Sequence, residues 1–156
     1  MVRPTKVISG GQSGADLGGL RAGEALGIAT GGAMPKCFRT EAGPRRTYAA
    51  RFGMRETSSR SYRSRTRQNV IESDGTVIFA GPPLFGGSLL TKRLCDELGK
   101  PCLVLAFPAT HDQHKLFTDW LAVHPIQVLN VAGARESKSP GIEEFVFDFL
   151  VSALRT

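Results

Sequence analysis

Ser9-Gly10-Gly11-Gln12-Ser13-Gly14-Ala15-Asp16, placed directly after the apolar pair Val7-Ile8, decides how the chain reads. Val7-Ile8 predicts a short buried strand. Leu17, Leu20, Ala25 and Leu26 then follow at helical spacing, and Gly27 closes the helix. Paired glycines between a strand and a helix let the backbone approach a ligand closely. The helix N-terminus beyond them offers free N–H groups to an anion. Ser13 is placed to cap this helix, with Asp16 three residues on as its capping-box partner.

Two further junctions repeat the pattern. The strand Thr76–Ala80 leads through Gly81-Pro82-Pro83-Leu84-Phe85-Gly86-Gly87 to a helix from about Ser88 to Leu98. The strand Gln127–Val131 runs into Asn130-Val131-Ala132-Gly133-Ala134-Arg135-Glu136-Ser137, and a C-terminal helix follows from Glu143 to Leu154. Cys102–Phe107 is one more apolar strand, and Leu116, Phe117, Trp120 and Leu121 mark one more helix. Ile28 to Ala33 is short and Gly-rich, and residues 36–53 read as a long loop. Strands that are continuous apolar runs, alternating with helices, predict a sheet covered on both faces. The expected fold is α/β, a single Rossmann-like α/β/α domain over residues 1–156 with a mostly parallel sheet. In such sheets ligands sit outside the carboxyl ends of the strands, where the strand order reverses.

The helix from about Ser61 to Glu72 carries Tyr62, Arg65, Thr66 and Asn69 at i, i+3, i+4 and i+7, a polar stripe on one face. That stripe fits a ligand cleft, with Arg65 for a phosphate and Asn69 for a ring or amide group. None of the glycine loops is GxGxxG, and no Gly-Lys-Ser/Thr occurs, which argues against a dehydrogenase or an ATPase. His111 and His114 flank Asp112 without an evident third ligand, so a loop or helix-start role is expected there.

Composition narrows the class. The 156 residues hold 41% hydrophobic and 22% charged side chains, which excludes a disordered chain. No apolar run approaches the roughly 18 residues of a membrane helix. The start Met1-Val2-Arg3-Pro4-Thr5-Lys6 predicts no signal peptide. Three cysteines without CxxC spacing predict neither a disulfide framework nor a zinc knuckle, and fit a reducing cytoplasm. Cys102 is expected in the core. The net charge of +6 is concentrated. Residues 36–67 hold ten basic and two acidic residues, a local balance of +8, and nine of the ten are arginine. Arginine forks suit phosphate and carboxylate, so the segment predicts an anion site. Nucleic acid is a weaker alternative.

Taken in order, the 9–16 stretch, Thr30-Gly31-Gly32, Pro35-Lys36, Tyr62 with Arg65-Thr66 and Asn69-Val70, Ser73-Asp74-Gly75-Thr76, Gly86-Gly87-Ser88 and the 130–137 stretch resemble the molybdenum cofactor carrier proteins. That family sits in the Rossmann-like SLOG and lysine-decarboxylase-like superfamily. The resemblance implies a homo-oligomer, a dimer or tetramer, that binds and protects molybdenum cofactor (molybdopterin) without turnover. It also implies exchange with molybdoenzymes or cofactor-synthesis proteins. The cargo is a small anionic ligand, a phosphorylated pterin whose dithiolene holds oxo-molybdenum. Gly10, Gly11, Gln12, Ser13, Gly86, Gly87 and Ser88 would cradle its anionic groups. Lys36, Arg65 and Arg135 would supply charge, and Asn69 and Asn130 would orient it. Gly14, Asp16, Gly31, Gly32, Gly133 and Glu136 complete the expected site. Cys37-Phe38 and Ala42 depart from the family pattern. The superfamily's phosphoribohydrolases carry Pro-Gly-Gly-x-Gly-Thr-x-x-Glu, and the stretch Gly86–Arg93 has no such Glu. A nucleotide-processing enzyme acting on a nucleoside monophosphate, with Glu136 or Asp16 as acid/base, is the alternative.

Overall fold

The computed structural model describes residues 3–155. Met1 and Val2, which head the segment read as lacking a leader, and Thr156 lie outside the described residues. Among the described residues, six strands and six helices follow one another as β1 (Lys6–Ile8), α1 (Ala15–Leu26), β2 (Ala29–Met34), α2 (Tyr48–Phe52), β3 (Met54–Glu56), α3 (Tyr62–Glu72), β4 (Gly75–Phe79), α4 (Gly86–Leu98), β5 (Cys102–Leu105), α5 (His114–Val123), β6 (Val128–Gly133) and α6 (Ile142–Leu154). A 3₁₀ turn at Lys36–Phe38 follows β2. The sheet order is β3-β2-β1-β6-β4-β5, and every pair is parallel. This is the expected Rossmann-like α/β fold. The chain steps to one side from β1 to β2 and to the other from β4 to β5, so the order reverses about β1, β6 and β4.

Two strands and a helix escaped the sequence reading. β2 is Ala29-Thr30-Gly31-Gly32-Ala33-Met34, with none of the apolar density of its neighbours. Its glycine is there for space. At Gly32, with φ +134°, a Cβ would lie 2.1 Å from the Ser9 carbonyl oxygen. Gly133, with φ +153°, meets the Phe79 carbonyl at the same 2.1 Å. Both positions let backbone pass where no side chain fits. The expected 36–53 loop instead contains the 3₁₀ turn and α2, and it delivers the three-residue edge strand β3.

The start of α1 is also corrected. Gly14, not Ser13, is its N-cap, and no side chain caps it. The Asp16 carboxylate instead reaches back and accepts from the Gln12 N–H at 3.2 Å. Ser13 turns outward, where its hydroxyl donates to Glu41.

The two faces of the sheet are unequal. Strand residues alternate between them. One face, carrying Val77, Phe79, Leu129 and Val131, packs under α1, α5 and α6 in an extended apolar core that includes Phe117, Ile142 and Leu150. The other face lies under α3 and α4, where the buried apolar cluster is only Val70, Leu94 and Cys95. Ile8 and Ile78 of the sheet are buried on this side as well, and polar groups take up much of the remainder. Asn130 donates to Thr76 Oγ1 at 3.1 Å, and Thr66, Asn69, Ser88 and Thr91 are buried. Cys95 is the fully buried thiol, while Cys102, expected in the core, is half-buried at the start of the edge strand β5. Asp74 fixes the entry to β6 by accepting from the N–H groups of Gln127 and Val128 at 3.0 and 2.8 Å. No helix of the described residues is long and apolar enough to cross a membrane.

Gly32→Ala should lose about 2–4 kcal/mol of stability, from a strained φ and a backbone clash together. Gly87→Ala should stay within about 1 kcal/mol of the parent, because nothing lies within 4 Å of the added methyl. Urea denaturation of the two variants checks the contrast.

Candidate functional site

A cleft of about 420 Å³ opens at the carboxyl ends of β1, β4 and β6. That is the switch point of the sheet, where open α/β folds hold ligands. Its walls come from Gln12 and Asp16 after β1, the 80–88 segment after β4 and the 132–139 segment after β6. Tyr62, Arg65 and Thr66 of α3 close the third side. Phe85, 71% exposed, stands at the rim.

The floor is a buried ion pair. Arg65 Nη1 lies 3.4 Å from Asp16 Oδ2, with side chains only 14% and 6% exposed. The guanidinium passes over Gly10, where a Cβ would sit 1.7 Å from Nη1. Burial pushes the Asp16 carboxyl above its ordinary value, although the Arg65 charge and the Gln12 N–H pull the other way. Burial likewise pushes Arg65 down, against the attraction of Asp16. Beside this pair, Gln12 is 2% exposed, and its Nε2 donates to the carbonyls of Gly10 and Arg39 at 3.2 and 2.9 Å. Gln12 Oε1 and Arg65 Nε are buried and have no hydrogen-bond partner among the described residues. Such atoms are costly to leave unmet.

One wall is a helix N-terminus. α4 begins at Gly86, two residues earlier than expected, so the N–H groups of Gly86, Gly87 and Ser88 precede the first intrahelical bonds. Nothing lies within 4 Å of a Cβ on Gly86 or Gly87. Another wall is cationic, with Arg65, Arg135 and Lys138 in the lining and Arg39 outside it. Arg39, Arg135 and Arg65 surround the Tyr62 ring, with guanidinium carbons 4.9, 4.6 and 5.7 Å from its centre. Each such contact is worth about 0.5–1 kcal/mol at an exposed site.

The expected site residues divide accordingly. Gln12, Asp16, Arg65, Gly86, Gly87, Ser88, Gly133 and Arg135 line the cleft. Gly10 lies under Arg65, Gly11 faces Met34, and Gly14 packs on the 134–136 backbone. Gly31 lies beside Lys6 and Gly32 under Ser9, both within the sheet. Lys36 is exposed in the 3₁₀ turn, outside the lining. Asn69 is engaged elsewhere. Its Oδ1 accepts from Ala33 N at 2.8 Å and its Nδ2 donates to Ala33 O at 3.0 Å. β1 ends at Ile8, opposite Gly31, so the Asn69 amide takes the place of a strand partner for β2. Asn130 is held by Thr76. Glu136 accepts from the N–H groups of Gly141 and Glu143 at 2.6 and 3.0 Å, which seats the start of α6. That leaves Asp16 as the carboxylate in the cleft lining.

Sequence reasoning missed Arg39, Lys138 and the exposed Phe85. Arg39 is one of ten basic residues in its segment, and nothing in the spacing separates it from Arg45 or Arg46. The structure divides that segment. Arg51 pairs with Glu24, Arg55 with Glu72 and Arg65 with Asp16. Glu41 straps the 39–46 loop across the site by accepting from Ser13 and Ser137, the latter at 2.6 Å. Those two hydroxyls hold its carboxyl below the ordinary value.

A family model for the circularly permuted YpsA SLOG family matches residues 7–154. A solved structure from Syntrophus aciditrophicus SB, of a protein provisionally named a molybdenum carrier, is 36% identical and superposes with a TM-score of 0.90. The match covers 99% of this chain and 96% of that one. Nothing among curated proteins matches the chain.

Arg65→Ala should strand the Asp16 charge and cost about 3–5 kcal/mol at neutral pH. Because burial raises the folded carboxyl, protonation relieves that cost, so the loss should shrink as pH falls toward 4. Urea midpoints at pH 4 and 7 check the sign; a loss that grows on acidification contradicts it. Glu41 runs the other way. The contribution of its lowered folded value is present above the ordinary 4.5 and lost as pH falls through that lowered value. A carbon NMR titration should find its midpoint depressed, and Ser13→Ala with Ser137→Ala should return it toward the ordinary value.

Proposed function

The chain belongs to the circularly permuted YpsA SLOG family, and from that premise we propose that it binds and carries molybdenum cofactor in the switch-point cleft. The observation that carries the reading is the pair of unmet buried atoms, the Gln12 Oε1 acceptor and the Arg65 Nε donor, beside an open helix N-terminus. A phosphorylated pterin answers all three. Its ring N–H groups suit Gln12 Oε1, and its acceptors suit Arg65. Its phosphate monoester suits the N–H groups at Gly86, Gly87 and Ser88, where a dianion gains from the helix dipole. A cleft of about 420 Å³ falls within the usual range of small-ligand sites. No cysteine of the described residues lines it, so the protein offers molybdenum no thiolate, and the dithiolene keeps the metal. That suits a protein that holds its cargo and releases it intact to molybdoenzymes. The name of the Syntrophus protein, a molybdenum carrier, supports the same reading.

In this proposal Gly10, Gly11, Gly14, Gly31, Gly32 and Gly133 act by bringing backbone close. Asn69, Asn130 and Glu136 hold the elements that frame the cleft. Gln12, Arg65, Ser88 and Arg135 meet the ligand.

The test is anaerobic incubation with released molybdenum cofactor, then gel filtration. Molybdenum and pterin should co-elute with the protein in about equal amounts. Gly87→Ala, expected to fold normally, places a methyl in the cleft and should weaken retention at least tenfold. A tenfold excess of AMP should not displace the cargo. Absence of co-elution, or bound AMP with release of adenine, would overturn the carrier reading in favour of nucleotide processing.

A further inference from the structure

We propose that the cleft has a second anion pole, built around Tyr62 by the lining residues Arg65 and Arg135 with Arg39 behind the ring and outside the lining, which takes a dianionic oxyanion group at the end of the ligand away from α4. The inference rests on the carrier reading only in identifying that group as the oxo-molybdenum end of the cargo.

Three guanidinium groups converge on one aromatic ring. Like charges gather only where something compensates them. Asp16 answers Arg65. Arg39 and Arg135 make no direct ion pair among the described residues, although the Arg135 charge is felt by the Asp16 and Glu41 carboxylates; Arg39 donates only to the Arg60 carbonyl, at 3.3 Å. Lys138 joins Arg65 and Arg135 as a third cation in the lining. Arg65 Nε is a buried donor with no acceptor, and it lies in this wall. Unmet N–H groups in a field of that sign call for an anion. Guanidinium forks match the paired oxygens of an oxyanion.

This pole is separate from the α4 N-terminus in origin. It comes from the 39–46 loop, α3 and the turn after β6, whereas the helix wall comes from the loop after β4. A ligand with one anionic end satisfies one wall and leaves the other unanswered. A ligand with two anionic ends satisfies both. Attraction to the Tyr62 ring helps hold the three guanidinium groups together, so the pole is formed in the protein before any ligand arrives.

Equilibrium dialysis against sodium molybdate at fixed ionic strength tests the pole, with bound molybdenum measured by elemental analysis and sodium phosphate as competitor. Arg39→Ala with Arg135→Ala should weaken molybdate binding at least tenfold. Arg46→Ala with Arg63→Ala removes the same charge from exposed positions and should change it less than twofold. Preference for molybdate over phosphate assigns the pole to an oxo-metal end; preference for phosphate assigns it to a second phosphate, and the pole stands in both cases. The proposal falls if the wild type binds no molybdate, if the exposed pair weakens it equally, or if the Arg39/Arg135 variant binds as the parent does. The same variants in the gel-filtration test separate this proposal from the carrier reading. Cofactor retained undiminished by Arg39→Ala/Arg135→Ala removes the pole and leaves the carrier. Molybdate held by a protein that retains no pterin removes the carrier and leaves the pole.

Discussion

Asp16 and Arg65 meet over the bare backbone of Gly10, and the cleft is arranged about that meeting. A charged pair removed from water costs several kcal/mol per ion unless attraction and hydrogen bonds return it. Here the carboxylate also accepts from Gln12 N, while the guanidinium keeps one buried N–H unanswered. The pair therefore does two things. It ties the first turn of α1 to α3 across the mouth of β1, and it leaves a directed donor in the floor of the cavity. A neutral, well-packed floor would supply the first and forgo the second.

The pair can form there because the backbone segments around it run unusually close. Ser9 passes over β2 at Gly32, and β6 passes β4 at Gly133. These contacts draw the ends of β1, β4 and β6 together, so three loops and one helix face converge on one volume. Glycine content here is a matter of distance between backbones and does not imply a loose chain.

Legibility in the sequence followed the same division. The strands that announced themselves, at Val7-Ile8, Thr76–Ala80, Cys102–Phe107 and Gln127–Val131, are apolar runs, buried in the centre of the sheet and half-buried at its β5 edge. β2 did not, because its residues were chosen for the absence of side chains, and no periodicity records that. β3 is three residues on an edge and carries two charged side chains. The polar stripe on α3 was visible from spacing, and Tyr62, Arg65 and Thr66 do face the cleft. Asn69 belongs to the same stripe, yet one turn further along it reaches β2 instead. Spacing fixes a helix face; it does not say which neighbour that face meets at each level. Arg39 could be found only by folding, since its ring partner lies on another element.

The unequal cores make the two faces of the sheet unequal in firmness. Under α1, α5 and α6 the sheet rests on a continuous apolar layer, whereas α3 and α4 share three buried apolar residues and a set of hydrogen bonds. Regions with few apolar contacts open at lower free energy than the rest of a domain. The layer that forms the cleft is thus expected to open more readily than the opposite one, with earlier exchange of its amide hydrogens. A ligand seated between the sheet loops, α3 and α4 becomes the missing part of that layer, and its binding free energy adds to the folding stability by mass action. Any ligand held there would then stiffen one face of the sheet more than the other, a change that reaches parts of the surface the ligand does not touch.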